Sequence, residues 1–337
     1  MHPAQLWESI ADNRCHCRLC RHFCLIDEGE TGKCGVRINQ DGKLFTLVYD
    51  RVAAVNMDPV EKKPLYHFLP GTLTFSFGTM GCNFGCVFCQ NDSLSQPPRS
   101  GRTPAGHHTT PEALVQAALD GGAASISYTY SEPTVFFEIM LETAKLAHAN
   151  GLKNVLVSNG FQSPQCLDAL APYIDAANID LKSFDDTFYR ERCRAALAPV
   201  LENLMTIKQL GWWLEVTTLV IPDLNDSRRE LKSIATFIAN ELGTDTPWHL
   251  SRFHPQFQLL SKPPTPVATL EMAQGLGLEA GIEHVYVGNV PGSPASNTFC
   301  PGCKKKVIDR LGFSVLESGV VDGSCSHCGQ KLPGTWK

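Results

Sequence analysis

The middle of the chain alternates short apolar runs with stretches whose apolar residues recur every three to four positions. The first pattern predicts strands and the second predicts amphipathic helices. One helix is predicted to begin with Thr110 as N-cap and Pro111 in its first turn, and to end at Gly121. Others begin near Pro133 and at Pro164. The predicted strands cover residues 73–79, 124–130, 153–160, 176–183, 212–221, 248–253 and, as a further strand, 284–290.

These alternating units predict an α/β fold with a parallel sheet that curls into a full or partial barrel. An open, doubly wound sheet is the alternative. We place this region at residues 71–292, after a cysteine-rich segment (1–70) of short strands and turns and before a four-cysteine tail (293–337). In both architectures the active site forms at the C-terminal ends of the strands.

Composition narrows the class of protein. The 337 residues are 43% hydrophobic and 19% charged, which is enough apolar material for a large core. A net charge of −5 gives no electrostatic reason to expect a nucleic-acid partner. No apolar run approaches the roughly 18 residues of a membrane span, and the N-terminus lacks a signal-peptide pattern. We therefore expect a soluble, cytoplasmic protein.

The fourteen cysteines are clustered, which indicates metal ligands rather than disulfides in a chain without an export signal. The stretch MGCNFGCVFCQ carries Cys82, Cys86 and Cys89 directly after a predicted strand. Three thiolates are one fewer than a closed zinc or iron–sulfur site needs, but on a four-iron cube they leave one iron open for another ligand. The alternatives are a zinc site with a distant fourth ligand and three merely buried cysteines.

CNFGCVFC resembles the Cys-x3-Cys-x-aromatic-Cys signature of the radical S-adenosylmethionine (SAM) enzymes. The resemblance implies a partial (β/α)6 TIM-like barrel and a [4Fe-4S] cluster whose open iron is chelated by SAM. It also implies reductive cleavage of SAM to a 5′-deoxyadenosyl radical, which abstracts hydrogen from a substrate. An external one-electron donor, a flavodoxin or ferredoxin, is then required.

Further segments extend the resemblance. YTYSEPT (128–134) is similar to the family's Gly-Gly-Glu-Pro motif, with Tyr130 and Ser131 in place of the glycines. VSNG (157–160), NIDLKSF (178–184) and EVTTLVI (215–221) resemble later strand ends of the barrel, with the backbone near Val220 and Ile221 expected at the adenine. By this resemblance the SAM-binding residues are Tyr130, Ser131, Glu132, Ser158, Asn159, Asp180, Lys182 and Thr217.

Several of these residues have simpler interpretations. Glu132 also suits a helix N-terminus, and Asp180 with Lys182 also suits a surface ion pair. Catalytic candidates at the sixth strand end are His249, Arg252 and His254. His107–His108 is expected to be loop. Cys166 and Cys193 are interpreted as small apolar residues, with radical relay as the alternative.

Two four-cysteine sets flank the barrel. In the tail, two Cys-x2-Cys knuckles predict a zinc-ribbon-like site, with an auxiliary cluster as the alternative: Cys300, Cys303, Cys325 and Cys328. Near the N-terminus a second set suffices for one zinc or one cluster: Cys17, Cys20, Cys24 and Cys34. For this set we favour a structural metal site over a redox cluster, with Cys15, His16 and His22 as spare ligands.

The layout as a whole resembles the radical SAM member of the AmmeMemoRadiSam system, which is related to pyruvate formate-lyase activating enzymes. Arg21 departs from that pattern, which has proline before the histidine. The resemblance implies AMMECR-domain and Memo-domain proteins as partners. Three hypotheses follow: hydrogen abstraction from a small molecule or lipid in that pathway, activation of a glycyl radical enzyme, or non-catalytic electron transfer or metal carriage.

Overall fold

The computed structural model describes residues 1–337, and its N-terminal part is built from short antiparallel strands, as predicted. They form two three-stranded sheets, ordered β1-β6-β5 and β2-β3-β4. Their bounds are β1 (His2–Pro3), β2 (Trp7–Ile10), β3 (Arg14–Cys17), β4 (Leu25–Ile26), β5 (Arg37–Gln40) and β6 (Lys43–Thr46). The turns on either side of β4 carry Cys20, Cys24 and Cys34.

A nine-stranded sheet forms the centre of the molecule. Its strands are β7 (Arg51–Pro59), β8 (Leu73–Thr79), β9 (His107–His108), β10 (Ser125–Tyr128), β11 (Lys153–Ser158), β12 (Ala176–Asp180), β13 (Trp213–Val220), β14 (Trp248–Arg252) and β15 (Val285–Gly288). β8 and β10 to β15 are parallel neighbours in chain order, while β7 and β9 extend one edge antiparallel. All seven predicted strands are present. His107–His108, expected in a loop, pairs with Arg51 and Val52 instead.

The strand order decides between the two predicted architectures. A doubly wound sheet reverses its order at a switch point, whereas the parallel strands here run from β8 to β15 without reversal. Right-handed crossovers that always advance in one direction place their helices on one face of the sheet. The sheet is therefore singly wound, and it is open between β9 and β15.

The connecting helices follow their predicted caps. The Thr110 hydroxyl accepts a hydrogen bond from the Ala113 N–H, and the Ser163 hydroxyl accepts one from the Cys166 N–H. A 3-10 turn at Pro133–Phe136 precedes α3, and π-helical turns follow α5 and α7. The helices are α1 (Asp92–Ser95), α2 (Pro111–Asp120), α3 (Phe137–Ala149), α4 (Pro164–Leu170), α5 (Asp186–Phe188), α6 (Ala198–Gln209), α7 (Arg228–Phe237) and α8 (Val267–Glu279).

The tail forms two small antiparallel sheets. Their strands are β16 (Thr298–Phe299), β17 (Lys306–Leu311), β18 (Ser314–Ser318), β19 (Val320–Val321) and β20 (Ser324–Cys325). Four buried residues make its own apolar cluster: Cys300, Val307, Cys325 and Leu332. A bridge between Thr335 and Phe68 docks the tail beside the segment that leads into β8. None of the helices is both long and apolar enough to span a bilayer.

Candidate active site at the carboxyl ends of the strands

The carboxyl ends of the parallel strands surround a cavity of about 240 Å³. The three loop cysteines and all eight predicted SAM-binding residues line it: Cys82, Cys86, Cys89, Tyr130, Ser131, Glu132, Ser158, Asn159, Asp180, Lys182 and Thr217. Residues separated by up to 135 positions in the chain thus meet at one edge, because parallel strands end side by side.

The cysteine loop leaves β8 and is held by backbone hydrogen bonds. The N–H of Gly85 donates to the Cys193 carbonyl at 2.9 Å, and the N–H of Val87 donates to the Arg192 carbonyl at 3.0 Å. Gly81 has a φ of 112°, and a Cβ there would lie 2.7 Å from a methyl carbon of Val36, so this position requires glycine. Backbone contacts of the protein thus hold this loop in its place beside the cavity.

The three thiols sit in different surroundings. Burial, and then the Glu132 carboxylate, raise the pKa of Cys82 well above its usual value, and burial raises the pKa of Cys89. A hydrogen bond from Cys193 lowers the pKa of Cys86. A metal must therefore displace protons at Cys82 and Cys89. Cys193, interpreted from sequence as a small apolar residue with radical relay as the alternative, is a neighbour of Cys86, although nothing in its local sequence links it to position 86.

Glu132 organises the loop after β10. Its carboxylate accepts hydrogen bonds from the Thr134 N–H at 3.0 Å, the Ser158 hydroxyl at 2.7 Å and the Asn159 N–H at 2.9 Å. It also caps the 3-10 turn that begins at Pro133, so the simpler capping interpretation holds as well. Burial raises the pKa of Glu132, while these donors oppose the shift.

Tyr130 stands where the resembled motif has glycine, and its backbone keeps the left-handed conformation of a glycine, with φ 70°. Its hydroxyl donates to Asp58 Oδ2 at 2.7 Å and accepts from Asn56 Nδ2 at 2.9 Å. The Lys63 ammonium lies 5.0 Å from its ring and 2.6 Å from Asp58. Strand β7 and the turn after it therefore anchor a strained residue at the cavity. No motif in the sequence identifies these anchors.

Asp180 and Lys182 form an ion pair of 2.8 Å that faces the cavity. The Lys182 side chain is only 14% exposed. Burial alone would lower the pKa of Lys182, but the Asp180 carboxylate and the neighbouring thiols raise it well above its usual value. Lys182 is thus a fixed positive charge inside the site rather than a surface partner.

The three catalytic candidates lie on β14 or just after it, and none of them lines the cavity. His249 is buried and contacts Glu215 at 2.5 Å, where Glu215 also accepts the N–H groups of Tyr66 and His67. Arg252 donates to the Thr265 carbonyl. His254 is exposed, and its carbonyl accepts a hydrogen bond from Gln90. Ser251 lines the cavity instead, because it lies on the same face of β14 as His249 but two residues nearer the carboxyl end of the strand.

Comparison with known proteins decides the family. A model of the Radical SAM superfamily matches residues 77–234. An uncharacterized protein of Methanocaldococcus jannaschii is 43% identical over 334 residues, which is 98% of this chain and 99% of that protein. The pyruvate formate-lyase-activating enzyme of Clostridium pasteurianum is 21% identical over 51% of this chain and 71% of its own. The chain belongs to the radical SAM superfamily. Within it, the chain is related to the pyruvate formate-lyase activating enzymes.

Two solved structures share the fold of this radical SAM protein. Streptococcus suis SuiB bound to S-adenosylmethionine aligns with a TM-score of 0.51 over 72% of this chain and 56% of its own, at 14% identity. A radical SAM methyltransferase from Sphaerobacter thermophilus aligns with a TM-score of 0.50 over 66% of this chain and 68% of its own, at 16% identity.

A further sequence relative is the benzylsuccinate synthase activating enzyme of Thauera aromatica, which is 22% identical over 45% of this chain and 48% of its own.

The family implies an iron–sulfur cluster and SAM, and the cavity fits both. Three thiols face it together with one fixed cation, Lys182. The Ser131 hydroxyl is buried at its wall and has no hydrogen-bond partner within the protein. A buried orphan hydroxyl costs free energy unless a ligand satisfies it, so this wall suits a polar ligand.

The flanking cysteine sets differ in spacing. In the tail, Cys300 Sγ lies 3.6 Å from Cys328 Sγ and Cys303 Sγ lies 3.8 Å from Cys325 Sγ. These four are the one group in residues 1–337 in which three or more ligand atoms lie within 4.8 Å of one another. The tail therefore offers a preformed metal site. The N-terminal four line one pocket but are more widely spaced.

Proposed function

We propose that this protein cleaves SAM reductively at a [4Fe-4S] cluster held by Cys82, Cys86 and Cys89, and that it abstracts hydrogen from a substrate. The cluster and SAM together supply a 5′-deoxyadenosyl radical. The observation that carries the proposal is the single cavity shared by an incomplete thiol set and eight polar residues that lie on or just after four strands, β10 to β13. A metal site whose coordination is completed by the protein alone would not need these polar residues around it.

In this proposal the chain's own residues bind and orient SAM. Lys182, kept charged by Asp180, suits a carboxylate group, and the carboxylate of Glu132 suits an amine. The Ser131 hydroxyl and Thr217 add polar contacts at the cavity wall. Buried apolar side chains of the loop itself, Phe84 and Phe88, line the cavity and exclude water from the reacting atoms.

A flavodoxin or ferredoxin serves as the electron donor in this proposal, and a reducing cytoplasm suits the many free thiols. The tail set holds zinc in the same proposal, because its sulfur spacing of 3.6–3.8 Å matches a tetrahedral ion with bonds of about 2.3 Å. Zinc then folds a tail whose own apolar cluster has four residues.

The decisive test is anaerobic reconstitution with iron and sulfide, followed by dithionite and SAM. We expect 5′-deoxyadenosine from the wild type and from Cys15→Ala, and none above background from Cys82→Ala. Cys15 is a buried cysteine outside the cavity and thus controls for thiol loss as such. A loaded wild-type cluster that leaves SAM intact would favour the electron-transfer or metal-carrier hypothesis.

A second candidate, activation of a glycyl radical enzyme, is favoured by relatives named as activating enzymes. The first candidate acts instead on a small molecule or lipid linked to the AMMECR-domain and Memo-domain partners. Incubation of the reduced, SAM-loaded protein with each candidate partner protein, read by electron paramagnetic resonance, separates them. A stable glycyl-radical doublet in the partner selects activation. Turnover of a small molecule without that doublet rejects it.

A further inference from the structure

Four cysteines of the N-terminal segment line one pocket: Cys17, Cys20, Cys24 and Cys34. Cys17 ends β3, Cys20 and Cys24 lie in the turn that follows, and Cys34 lies between β4 and β5. Cys15 is on the same strand as Cys17 and is fully buried, but it does not line the pocket. The fold therefore selects four of the five N-terminal cysteines.

The spacing of these sulfurs differs from that of the tail. A single tetrahedral zinc ion with bonds of about 2.3 Å requires sulfurs about 3.8 Å apart, which the tail provides. In the N-terminal set, no three sulfurs lie within 4.8 Å of one another. The same is true of Cys82, Cys86 and Cys89, the set that the family assigns to a cluster. The N-terminal set thus resembles the loop and differs from the tail, where the four sulfurs already lie close enough together for one ion.

A fixed cation faces this pocket. The Arg37 guanidinium, 1% exposed, donates to Cys17 Sγ at 3.2 Å and to the Gln5 carbonyl at 2.8 Å. It also pairs with Glu138, so the chain has oriented it firmly. A cube bound by four thiolates carries net negative charge, and a charged donor to one of its sulfurs stabilises it. A neutral structural thiol would gain less from the same contact.

The pocket also adjoins the catalytic loop. His22, which lines the pocket, donates from Nε2 to the Asn83 carbonyl at 2.9 Å. The Arg99 guanidinium donates to the carbonyls of Lys33 at 2.8 Å and Cys82 at 3.3 Å. Lys33 precedes Cys34 in the chain, so one arginine joins the backbone at both cysteine sets.

We propose that Cys17, Cys20, Cys24 and Cys34 hold a second iron–sulfur cluster, with four thiolate ligands, next to the SAM site. Its coordination is complete, so it binds no SAM. The inference replaces the structural metal site favoured from sequence and is independent of what the SAM-site radical attacks. Its test counts iron and therefore does not depend on SAM cleavage.

The test is anaerobic reconstitution of the full chain, followed by iron, sulfide and zinc analysis. We expect about eight iron and eight sulfide per wild-type chain, and about four of each in Cys20→Ala/Cys24→Ala. Cys15→Ala is the matched control and should keep about eight. About four iron in the wild type, or loss of zinc rather than iron from the double variant, overturns the proposal.

A complementary variant keeps the test valid if the first fails to fold. Cys86→Ala/Cys89→Ala leaves the N-terminal segment intact and should retain about four iron, with a reduced-cluster resonance after dithionite. Complete loss of iron from this variant contradicts a second cluster. In the reduced wild type we expect a spectrum broadened by interaction between two neighbouring clusters. A wild-type spectrum identical to that of the variant overturns the adjacency.

Discussion

The two flanking cysteine sets are alike in sequence, each with four cysteines, but they dock at opposite ends of the strands. The N-terminal set reaches the carboxyl ends, where Cys20 pairs with Gln162 just after β11. The tail reaches the amino ends, where Thr335 pairs with Phe68 ahead of β8. Only the first lies beside the cavity. The two sets therefore differ by their position in the fold and not by their number of cysteines. The N-terminal set is placed to take part in reactions at the cavity, whereas the tail set is placed to stabilise structure.

The two sets also differ in what stabilises them. The N-terminal segment shares the main apolar core of 67 residues, to which it contributes Leu19, Ile26 and Val36. The tail has a separate cluster of four buried residues, two of which are cysteines. A domain with so little apolar surface depends on its metal for folding free energy. Loss of metal should therefore unfold the tail and leave the N-terminal segment packed.

The largest expected effect is loss of the tail metal. Cys325→Ser should remove a metal contribution on the order of 10 kcal/mol and unfold the tail (293–337) locally. Hydrogen exchange of tail amides measures this, with Ser326→Ala as the neighbouring control. Unchanged protection in Cys325→Ser would mean that the tail does not need its metal.

The next effect concerns the junction between tail and sheet. Arg310 is fully buried, lies 3.6 Å from Glu61 and donates to the Tyr66 carbonyl. Arg310→Met should cost about 3–5 kcal/mol in unfolding free energy, because Glu61 would stay buried without its partner. SAM affinity should hold, since this junction is remote from the cavity. Lys306→Met, which removes an exposed ion pair with Asp309, should cost less than about 1 kcal/mol.

Acid should weaken the amino end of the sheet. Burial would raise the pKa of Glu215, but His249 and the other donors lower it below its usual value. A carboxyl group whose pKa is lowered in the folded state stabilises the fold at pH values above its unfolded-state pKa of about 4.3. That contribution is lost as the pH falls through the folded-state pKa. Between about pH 5 and pH 3 the unfolding free energy of the wild type, measured by urea denaturation, should thus fall more than that of Glu215→Gln. If the unfolding free energies of the two proteins fell in parallel with pH, this prediction would be wrong.

The junction between the N-terminal segment and the cysteine loop lies at the carboxyl ends of the strands. Breaking it should cost less stability than breaking the tail junction, but it should impair function. Arg99 donates to the carbonyls of Lys33, Cys82 and Asn83. Arg99→Met should cost about 1–3 kcal/mol and reduce iron retained at the loop. Arg102→Met is the control, as its side chain is exposed. If Arg99→Met kept full iron and 5′-deoxyadenosine yield, the junction would be structural only.

The smallest effect belongs to a helix remote from both sets. The Thr110 hydroxyl caps α2, and Thr110→Ala should cost about 1 kcal/mol in unfolding free energy. Thr110→Ser, which keeps the cap, is the matched control. Iron, zinc and SAM cleavage should not change in either variant, whereas a change in metal content would show that the helices packed on the sheet influence the two sets.

Much of the site could be predicted because its elements are local. The loop that carries Cys82 to Cys89, the cap at Thr110 and the strands that carry Asp180 and Thr217 each depend on short sequence patterns. Parallel strands then bring those ends to one edge, so a correct strand list already predicts their meeting. The prediction for His249 did not place it in the cavity, since His249 lies near the start of β14, two residues before Ser251.

The sequence by itself determined the strand series, the three-cysteine loop and the family. Tertiary structure alone decided that Cys193 faces Cys86, that Asp58 anchors Tyr130, and that the two flanking sets dock at opposite ends. The physical reason is the range of the contacts. Spacing within a motif is set by the local backbone, whereas contacts between residues 70 or more positions apart depend on how the whole chain packs.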